Sequence, residues 1–418
     1  MDWRNSLLAA ALLTGPLSAQ PTWDLLLKGG RVIDPKNNLD AIRDVAIAGG
    51  KIARVGTGLP ASSARRTADV TGLIVTPGLI DIHVHVYAGT GIRRAYTGDL
   101  SVYPDPMSFR SGVTTMVDAG SAGWRNFADF RERVIDRAAT RVLAMVNICA
   151  AGMGPDPKDE NDPAGMIAAE AAKVAKANSD IVVGIKTAHY SGEGWYSVDR
   201  AVEAGRLAGL PVMVDFGYTT EERNLKVLLE SKLRAGDIYT HCYAGHRDEL
   251  LNGAVNPAMV TGRKRGVIFD VGHGGGSFYW NIAVPMTKQS FWPDSISTDL
   301  HVGSMNSGMK DMTNVMSKML NLGAPLAEVI RMSTWNPARE IRREEFGHLS
   351  EGAVADVTVL RLDKGAFGFL DSAGARYPGS SRLMAEMTIL KGEVKWDLNG
   401  RAAADWREFK YQKRAVKP

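Results

Sequence analysis

The feature of this sequence that most constrains its fold is a recurring apolar, β-branched segment with a polar residue at or near its end. Eight such segments occur, at residues 79–86, 114–119, 141–148, 181–187, 211–216, 237–243, 266–272 and 295–299. Continuous apolar runs joined by amphipathic helices indicate parallel strands that are buried on both faces. Eight βα units within about 250 residues predict an α/β fold of the (β/α)8 TIM-barrel type. A doubly wound sheet is the alternative, but only a barrel brings all the polar strand ends around one mouth.

The two ends of the chain have a different, β-rich pattern. Short strand candidates separated by turn residues occur at 24–28, 31–34, 44–48, 51–55 and 66–69, and again at 355–360, 386–390 and 393–396. We expect residues 21–77 and 341–418 to form one smaller β-sandwich domain, with the tail at the end of the second part. The barrel would then span residues 78–340, and a chain of 418 residues accommodates both domains.

The N-terminus is typical of a secretory signal peptide. Arg4 precedes an apolar run at residues 7–13, a Gly-Pro pair ends the run, and Ser18-Ala19-Gln20 offers a small-residue cleavage region. The run is too short to span a bilayer. We therefore predict that residues 1–20 direct export and that the mature protein is periplasmic or secreted. A buried N-terminal helix is the alternative.

The charge balance gives no electrostatic case for a nucleic-acid partner. The chain has 50 basic and 46 acidic residues and a formal net charge of +4, and its short basic clusters lack interleaved aromatic residues. We expect a small-molecule substrate, no nucleic acid and no membrane span. Homo-oligomer formation is left open.

Side chains suited to metal binding stand at the ends of several predicted strands. His83 and His85 end the first one as His-x-His, and residues i and i+2 of a strand face the same side, so both imidazoles point into the barrel mouth. His241, His273 and Asp299 end the sixth, seventh and eighth strands. Their convergence at one face indicates a metal site rather than unrelated structural residues.

Lys186 ends the fourth predicted strand, which is apolar and faces inward. A lysine in that position must be neutralised, paired or modified. A neutral buried amine can react with carbon dioxide to give a carbamate, a carboxylate-like bridge that is able to bind two cations. Pairing with a nearby acid is the alternative.

Several motifs together make the sequence resemble the amidohydrolase superfamily. They are residues 75–85 (Val-Thr-Pro-Gly-Leu-Ile-Asp-Ile-His-Val-His), Lys186, His241, Asp299, residues 334–338 (Thr-Trp-Asn-Pro-Ala) and residues 352–357 (Gly-Ala-Val-Ala-Asp-Val). Residues 269–278 (Phe-Asp-Val-Gly-His-Gly-Gly-Gly-Ser-Phe) and 296–301 (Ile-Ser-Thr-Asp-Leu-His) are particularly similar to an amidohydrolase/deacetylase branch near the dihydroorotases. The resemblance covers nearly the whole mature chain and is specific for superfamily and branch, not for substrate.

The resemblance implies a site with one or two divalent metal ions, expected to be zinc. His83, His85 and Asp299 would hold the more buried metal. Lys186, as N6-carboxylysine, would bridge to a second metal that is also held by His241. Asp299 would be the catalytic residue, taking a proton from the attacking water.

One position departs from the family pattern, which has a histidine at the end of the fifth strand. This sequence has Asp215 there, and an aspartate can bind zinc but reaches less far than an imidazole. Asp215 is therefore a candidate ligand, and a weak or absent second metal is the alternative. His189 could fill the gap as a ligand or contact the substrate, and we expect His273 to contact the substrate or to support the metal ligands.

The expected reaction is hydrolysis of an amide or ester bond by a metal-activated hydroxide. Gly275 lies in the turn 274–277, whose backbone N–H groups can bind a carboxylate. Arg93 and Arg94 could pair with the same group, and Tyr190 could form a wall of the pocket. We therefore expect deacylation of a small, carboxylate-bearing N-acyl or O-acyl substrate. A cyclic amidase of the dihydroorotase or hydantoinase type and a catalytically silent barrel that acts as a binding protein are the alternatives.

Overall fold

The computed structural model describes residues 22–412, apart from residues 92, 94, 95, 155, 157 and 218. The predicted signal peptide (residues 1–20) and Arg94 lie outside the described residues. Within the described part of the chain, no helix is both long enough and apolar enough to cross a bilayer.

The described strands and α-helices alternate through the middle of the chain. The strands are β1 (Leu25–Asp34), β2 (Leu39–Ala48), β3 (Lys51–Gly56), β4 (Thr67–Asp69), β5 (Ile74–Pro77), β6 (Leu79–Val84), β7 (Val113–Gly123), β8 (Arg141–Asn147), β9 (Val182–Thr187), β10 (Val212–Val214), β11 (Ile238–Tyr239), β12 (Leu250–Leu251), β13 (Ala254–Val255), β14 (Ile268–Phe269), β15 (Val357–Leu370), β16 (Arg376–Leu390) and β17 (Glu393–Asp397). The α-helices are α1 (Pro104–Ser108), α2 (Phe127–Phe130), α3 (Ala168–Ala177), α4 (Tyr196–Ala208), α5 (Leu225–Val227), α6 (Pro257–Lys264), α7 (Trp280–Lys288), α8 (Val302–Met305), α9 (Met312–Asn321), α10 (Leu326–Arg331) and α11 (Trp335–Glu340).

The middle of the chain forms a curled parallel sheet in the order β14-β11-β10-β9-β8-β7-β6. The segment 295–300 runs beside both edge strands, because Ser295 bridges Asp270 and Leu300 bridges Val84 in parallel register. Helices between the strands bury their apolar faces, as α4 does between β9 and β10. This mixed arrangement of helices and parallel strands confirms the predicted α/β class.

Three strands of this sheet are much shorter than their sequence pattern predicts. β10, β11 and β14 have 3, 2 and 2 residues. Beyond them the backbone leaves the extended conformation, with φ of 63° at His241 and 45° at Gly272. Apolar residues continue in the sequence beyond the last residue of each strand, where the chain turns toward the cavity. Strand lengths predicted from the apolar pattern are therefore too long.

Strands from both ends of the chain form a second sheet, in the order β17-β16-β15-β5-β1-β2-β3 with β4 paired to β1. β15 pairs antiparallel with β5, so the C-terminal strands are hydrogen-bonded to the N-terminal ones. Leu25, Val45, Val357 and Ile389 share an apolar core that is separate from the main core of the parallel sheet. Gly78 alone separates β5 from β6, so the chain passes from one sheet to the other within a single residue.

Candidate metal centre

Three potential metal ligands meet where β6 ends. His83 and His85 face the same side of the strand, and Asp299 belongs to the segment that runs beside it. Asp299 Oδ1 is 3.1 Å from His85 Nε2 and 3.7 Å from His83 Nε2. The ligand atoms of the three buried residues all lie within 4.8 Å of one another. This spacing allows them to share one ion.

The two histidines are oriented through their Nδ1 atoms. His83 Nδ1 is 3.0 Å from Thr240 Oγ1, and His85 Nδ1 is 2.8 Å from Ser121 Oγ. Thr240 in turn donates a hydrogen bond to Asp270 over 2.7 Å. Metal-binding histidines use their second ring nitrogen in this way, which fixes the tautomer and leaves Nε2 available to an ion.

The charges around these ligands favour cation binding. Burial and the nearby Lys186 lower the pKa of His83 to about 3, so its imidazole is neutral. Burial opposes ionisation of Asp299, but His83 and His85 outweigh it and hold the pKa of Asp299 well below its usual range. A neutral imidazole beside an ionised carboxylate is a donor set that suits a divalent metal. The residues at this position therefore fit a metal ion.

Lys186 lies inside the same cavity, near the end of β9. Its side chain is buried, with Nζ 3.0 Å from His83 Nε2 and 3.8 Å from Met213 Sδ. Burial lowers the pKa of Lys186. Gly120 makes room for the lysine, because a Cβ at that position would lie 2.6 Å from Lys186 Cβ.

Asp215 and His241 form a second group of donors beside the first. Asp215 Oδ2 is 3.3 Å from His241 Nε2, and His241 Nδ1 donates to the carbonyl of Gly272 over 2.5 Å. Asp215 Oδ1 accepts a hydrogen bond from the buried Arg247 guanidinium over 2.5 Å. Burial opposes ionisation of Asp215, but His241 and Arg247 hold its pKa well below the usual range. The ring centroids of His241 and His83 are 5.1 Å apart, so the two groups of donors adjoin.

His189 joins this second group from the loop after β9. Its Nε2 is 3.2 Å from Asp215 Oδ2, and its Nδ1 is 2.8 Å from Glu160 Oε2. Desolvation opposes the charged imidazole, but hydrogen bonds to Asp215 and Glu160 raise the pKa of His189 to about 10. The histidine is therefore held at the cavity between two carboxylates.

All these donors line one cavity of about 290 Å³, a size that suits a small substrate. Other parts of its wall come from the turn after β14 and from three further side chains: Gly275, Gly276, Ser277, Tyr96, Met153 and His301. Gly275 thus lies where the sequence predicted a contact with the substrate.

Three of the cavity residues have a left-handed backbone that only glycine adopts readily. The φ angles of His189, His241 and Asp299 are 56°, 63° and 50°. Such strained residues cluster at functional sites. The local turn at each of them directs its side chain toward the cavity.

Three residues predicted to contact the substrate lie elsewhere. His273 is fully buried behind the cavity, where its Nδ1 donates to the carbonyl of Gly274 over 2.9 Å and its Nε2 accepts a hydrogen bond from Lys318 over 2.5 Å. Tyr190 lines a neighbouring surface pocket, and Arg93 is exposed on the loop after β6. Both ring nitrogens of His273 are thus engaged within the protein, and neither Tyr190 nor Arg93 lines the cavity. A role of His273 in supporting the metal ligands stays a prediction.

His301 lines the cavity, and Glu160 and Arg247 contact residues that line it, but the sequence did not predict these three as site residues. His301 did carry a signal, because it follows Asp299 by two residues within the Asp-Leu-His motif. Glu160 lies in a short 3-10 helix (Asp159–Asn161) and Arg247 in a loop, neither with a recognisable pattern, and only the folded chain brings them to His189 and Asp215.

Comparisons with known proteins agree with this arrangement. The amidohydrolase family profile matches residues 282–395. A deacetylase from Agrobacterium fabrum is 33% identical over 348 residues, which cover 79% of this chain and 81% of the relative. The crystal structure of an adenine deaminase has a TM-score of 0.80 and 27% identity over 90% of this chain and 100% of that chain. The crystal structure of a dihydroorotase has a TM-score of 0.76 and 29% identity over 88% of this chain and 98% of that chain.

The chain belongs to the amidohydrolase family and is related to the dihydroorotases, which confirms the resemblance seen in the sequence. It is a metal-dependent hydrolase that acts on C–N bonds of a small-molecule substrate. His83, His85 and Asp299 form a group that could hold the metal.

Proposed function

We propose that this chain is an exported, zinc-dependent deacylase that hydrolyses a small N-acyl or O-acyl compound carrying a carboxylate. The observation that carries the proposal is the meeting of His83, His85, Lys186, His241 and Asp299 around one cavity. These residues come from four different parts of the chain, and their donor atoms are those of a hydrolytic metal site.

The proposal includes a closed (β/α)8 barrel over residues 78–340 and a β-sandwich built from residues 21–77 and 341–418. The bridges from segment 295–300 to both edge strands support the closure of the barrel. The separate apolar core that the N- and C-terminal strands share supports the sandwich. In barrels of this type the active site lies at the C-terminal ends of the strands, which is where the donors stand.

The metal ligands divide into two groups in this proposal. His83, His85 and Asp299 would hold the first ion, and the short distances among their donor atoms support this. His241, Asp215 and a carboxylated Lys186 would hold the second. Carboxylation requires a neutral amine, and burial of Lys186 lowers its pKa in the required direction. The Nζ atom attacks the carbon of carbon dioxide, an N–C bond forms, and one proton leaves to give the carbamate.

When bound, a divalent metal would supply a Lewis acid that lowers the pKa of water to about 7. Asp299 takes the proton of the attacking water and later delivers it to the leaving amine or alcohol. Gly274 leaves room for this carboxylate, because a Cβ at position 274 would lie 2.4 Å from Asp299 Oδ2. Backbone N–H groups of Gly275 and Gly276, which line the cavity, bind the carboxylate of the substrate.

A cyclic amidase is the second candidate function. The similarity to a dihydroorotase structure over 88% of this chain favours it. The deacetylase relative, with 33% identity over 348 residues, favours the open-chain reaction that we propose. Both reactions use the same donors, so the shape of the cavity decides between them.

Metal analysis together with matched substrates tests the proposal. We expect one or two zinc equivalents per chain, and turnover of an N-acetyl amino acid well above that of its carboxamide or of a cyclic dihydropyrimidine. Equal turnover of the acid and the carboxamide would reject carboxylate recognition, and turnover of the cyclic amide alone would favour the second candidate. A purified protein with no zinc and no turnover would reject both enzymatic functions and favour a catalytically silent barrel that acts as a binding protein.

Carboxylation of Lys186 and export each have a separate test. After growth with ¹³C-bicarbonate, a carbamate carbon signal is expected in the wild-type protein and not in Lys186→Ala. Export rests on the pattern of residues 1–20. We expect a mature N-terminus near residue 20 in the periplasmic or secreted fraction, and an intact N-terminus inside the cell would reject export.

A further inference from the structure

A buried arginine is attached to the residue that departs from the family pattern. Arg247 is 2% exposed, and its Nη2 is 2.5 Å from Asp215 Oδ1. Its Nε donates to the carbonyl of Gly217 over 3.0 Å, and its Nη1 donates to the carbonyl of Thr240 over 3.4 Å. The guanidinium is therefore fixed between the chain that follows β10 and the end of β11.

Glu249, two residues further along the same loop, also holds Arg247 in position. Its backbone N–H donates to Glu249 Oε2 over 3.1 Å, and Tyr239 Oη donates to Glu249 Oε1 over 3.1 Å. The guanidinium carbon lies 5.8 Å from the centre of the Tyr239 ring. Asp215 is the carboxylate with which Arg247 forms an ion pair, so the positive charge is directed at the cavity.

The ion pair changes what Asp215 can offer to a metal. An ionised carboxylate has two oxygens and one negative charge, whereas an imidazole has one donor atom available and no charge. Arg247 occupies Oδ1 and supplies one positive charge. Only Oδ2 remains on the cavity side, where it lies 3.3 Å from His241 Nε2 and 3.2 Å from His189 Nε2. The pair as a whole therefore presents one donor atom and no net charge.

We infer that Arg247 is a positioning residue that makes Asp215 a single-oxygen, charge-compensated ligand, so that the Asp215–Arg247 pair replaces one neutral imidazole. The inference rests on the second ligand group of the proposed function. It predicts that the two residues depend on each other, because Arg247 without Asp215 leaves an unpaired buried positive charge beside the second ion.

A double-mutant cycle on metal affinity tests this dependence. The affinity for the second zinc ion is measured by competition with a chelator in the wild type, Asp215→His, Arg247→Met and the double variant. Asp215→His alone leaves the guanidinium facing a cation, so we expect the second zinc to weaken by at least about tenfold. Adding Arg247→Met to Asp215→His removes that repulsion and should recover most of the loss. If Arg247 only supports the loop, the double variant should bind zinc no better than Asp215→His.

Arg223 offers a matched control. It is also a buried arginine near the cavity, but its guanidinium donates to the carbonyls of Tyr190, Gly192 and Phe216. Adding Arg223→Met to Asp215→His should therefore not recover the second zinc. Equal recovery by both arginine substitutions would overturn the inference.

A further comparison covers the case in which Asp215→His does not fold. In the wild-type background, Arg247→Met should bind the second zinc more tightly than Arg247→Lys, which keeps the charge. Equal affinities would overturn the inference. A wild-type protein with two zinc equivalents whose double variant shows no recovery overturns the inference alone, whereas a wild type with a single equivalent overturns it together with the second ligand group of the proposed function.

Discussion

Asp299 would combine two roles in the proposed function, because it stands beside both histidines of the first ligand group and would also take the proton of the attacking water. Asp299→Asn keeps the shape of the side chain but removes its ability to take a proton. We expect kcat/KM to fall by about 10²–10⁴, with zinc content measured on the same samples to separate catalysis from metal loss. Asp294→Asn, outside the cavity, is the control. Activity within a factor of two of the wild type in Asp299→Asn would show that another group moves the proton.

Lys318 is a second buried lysine, at the back of the site. Burial lowers its pKa to about 7, Asp371 and Asp311 oppose this shift, and Lys310 adds to it. Its Nζ donates three hydrogen bonds: to His273 Nε2 over 2.5 Å, to the Gly308 carbonyl over 2.8 Å and to the Leu370 carbonyl over 2.6 Å.

The titration of Lys318 predicts how stability depends on pH. The unfolded chain keeps the ordinary lysine pKa near 10.5, so between pH 7 and 10 the unfolded state binds more protons than the folded state. The contribution of this group to the free energy of unfolding therefore rises with pH, by up to about 1.4 kcal/mol per unit. Urea unfolding at pH 6 and pH 9 should show that the stability of the wild type relative to Lys318→Met rises with pH, because the difference between the two proteins cancels other titrating groups such as His189. Lys173→Met, at an exposed lysine, should keep the wild-type slope.

The sequence predicts the site best where a side chain ends a strand. His83, His85 and Asp299 end predicted strands and are brought together in one group. His273 ends a predicted strand as well, but Gly272 turns the chain and the ring faces Lys318 instead of the cavity. Arg247 stands in a loop, where no period relates its position to its direction, so only the fold reveals it.

At the scale of elements, the end of β14 determines how the ligands are held. Gly272 has φ of 45°, and a Cβ there would lie 2.3 Å from Thr240 Oγ1 and 2.7 Å from His241 Nδ1. Gly272→Ala should push both groups away from the cavity. We expect zinc affinity to fall by about 10- to 100-fold, as happens when the partners of metal ligands are disturbed. Zinc titration should show no such loss in Gly276→Ala, because a Cβ at position 276 would meet nothing within 4 Å.

The order of the elements could be read from the sequence, but their lengths could not. The alternation of apolar segments with helical patterns predicts a parallel sheet, since buried parallel strands need continuous apolar runs. β10 and β11 are nevertheless short, because apolar residues continue into turns that carry Asp215 and His241 toward the cavity. The left-handed backbone at His241 comes from tertiary packing, which local sequence does not encode.

At the scale of the whole molecule, one buried ion pair joins the two sheets. Arg141 begins β8 of the parallel sheet, and its Nη1 donates to Asp356, which precedes β15 of the other sheet. The guanidinium also lies 4.0 Å above the ring of Phe346. Asp356 accepts a second hydrogen bond, from the backbone N–H of Lys391 over 3.0 Å. The pair therefore links the two sheets through a buried charge on each side.

Removing one partner of this pair should weaken the whole molecule. Asp356→Ala leaves the Arg141 charge buried and unpaired, so we expect the free energy of unfolding to fall by about 3–5 kcal/mol. The double variant Arg141→Met with Asp356→Ala should be more stable than Asp356→Ala, because it removes the unpaired charge. Urea unfolding followed by fluorescence measures both, and breaking the exposed Arg407–Asp405 pair should leave the unfolding curve unchanged. Asp356→Ala with wild-type stability would mean that backbone pairing of β5 with β15 is enough to hold the two sheets together.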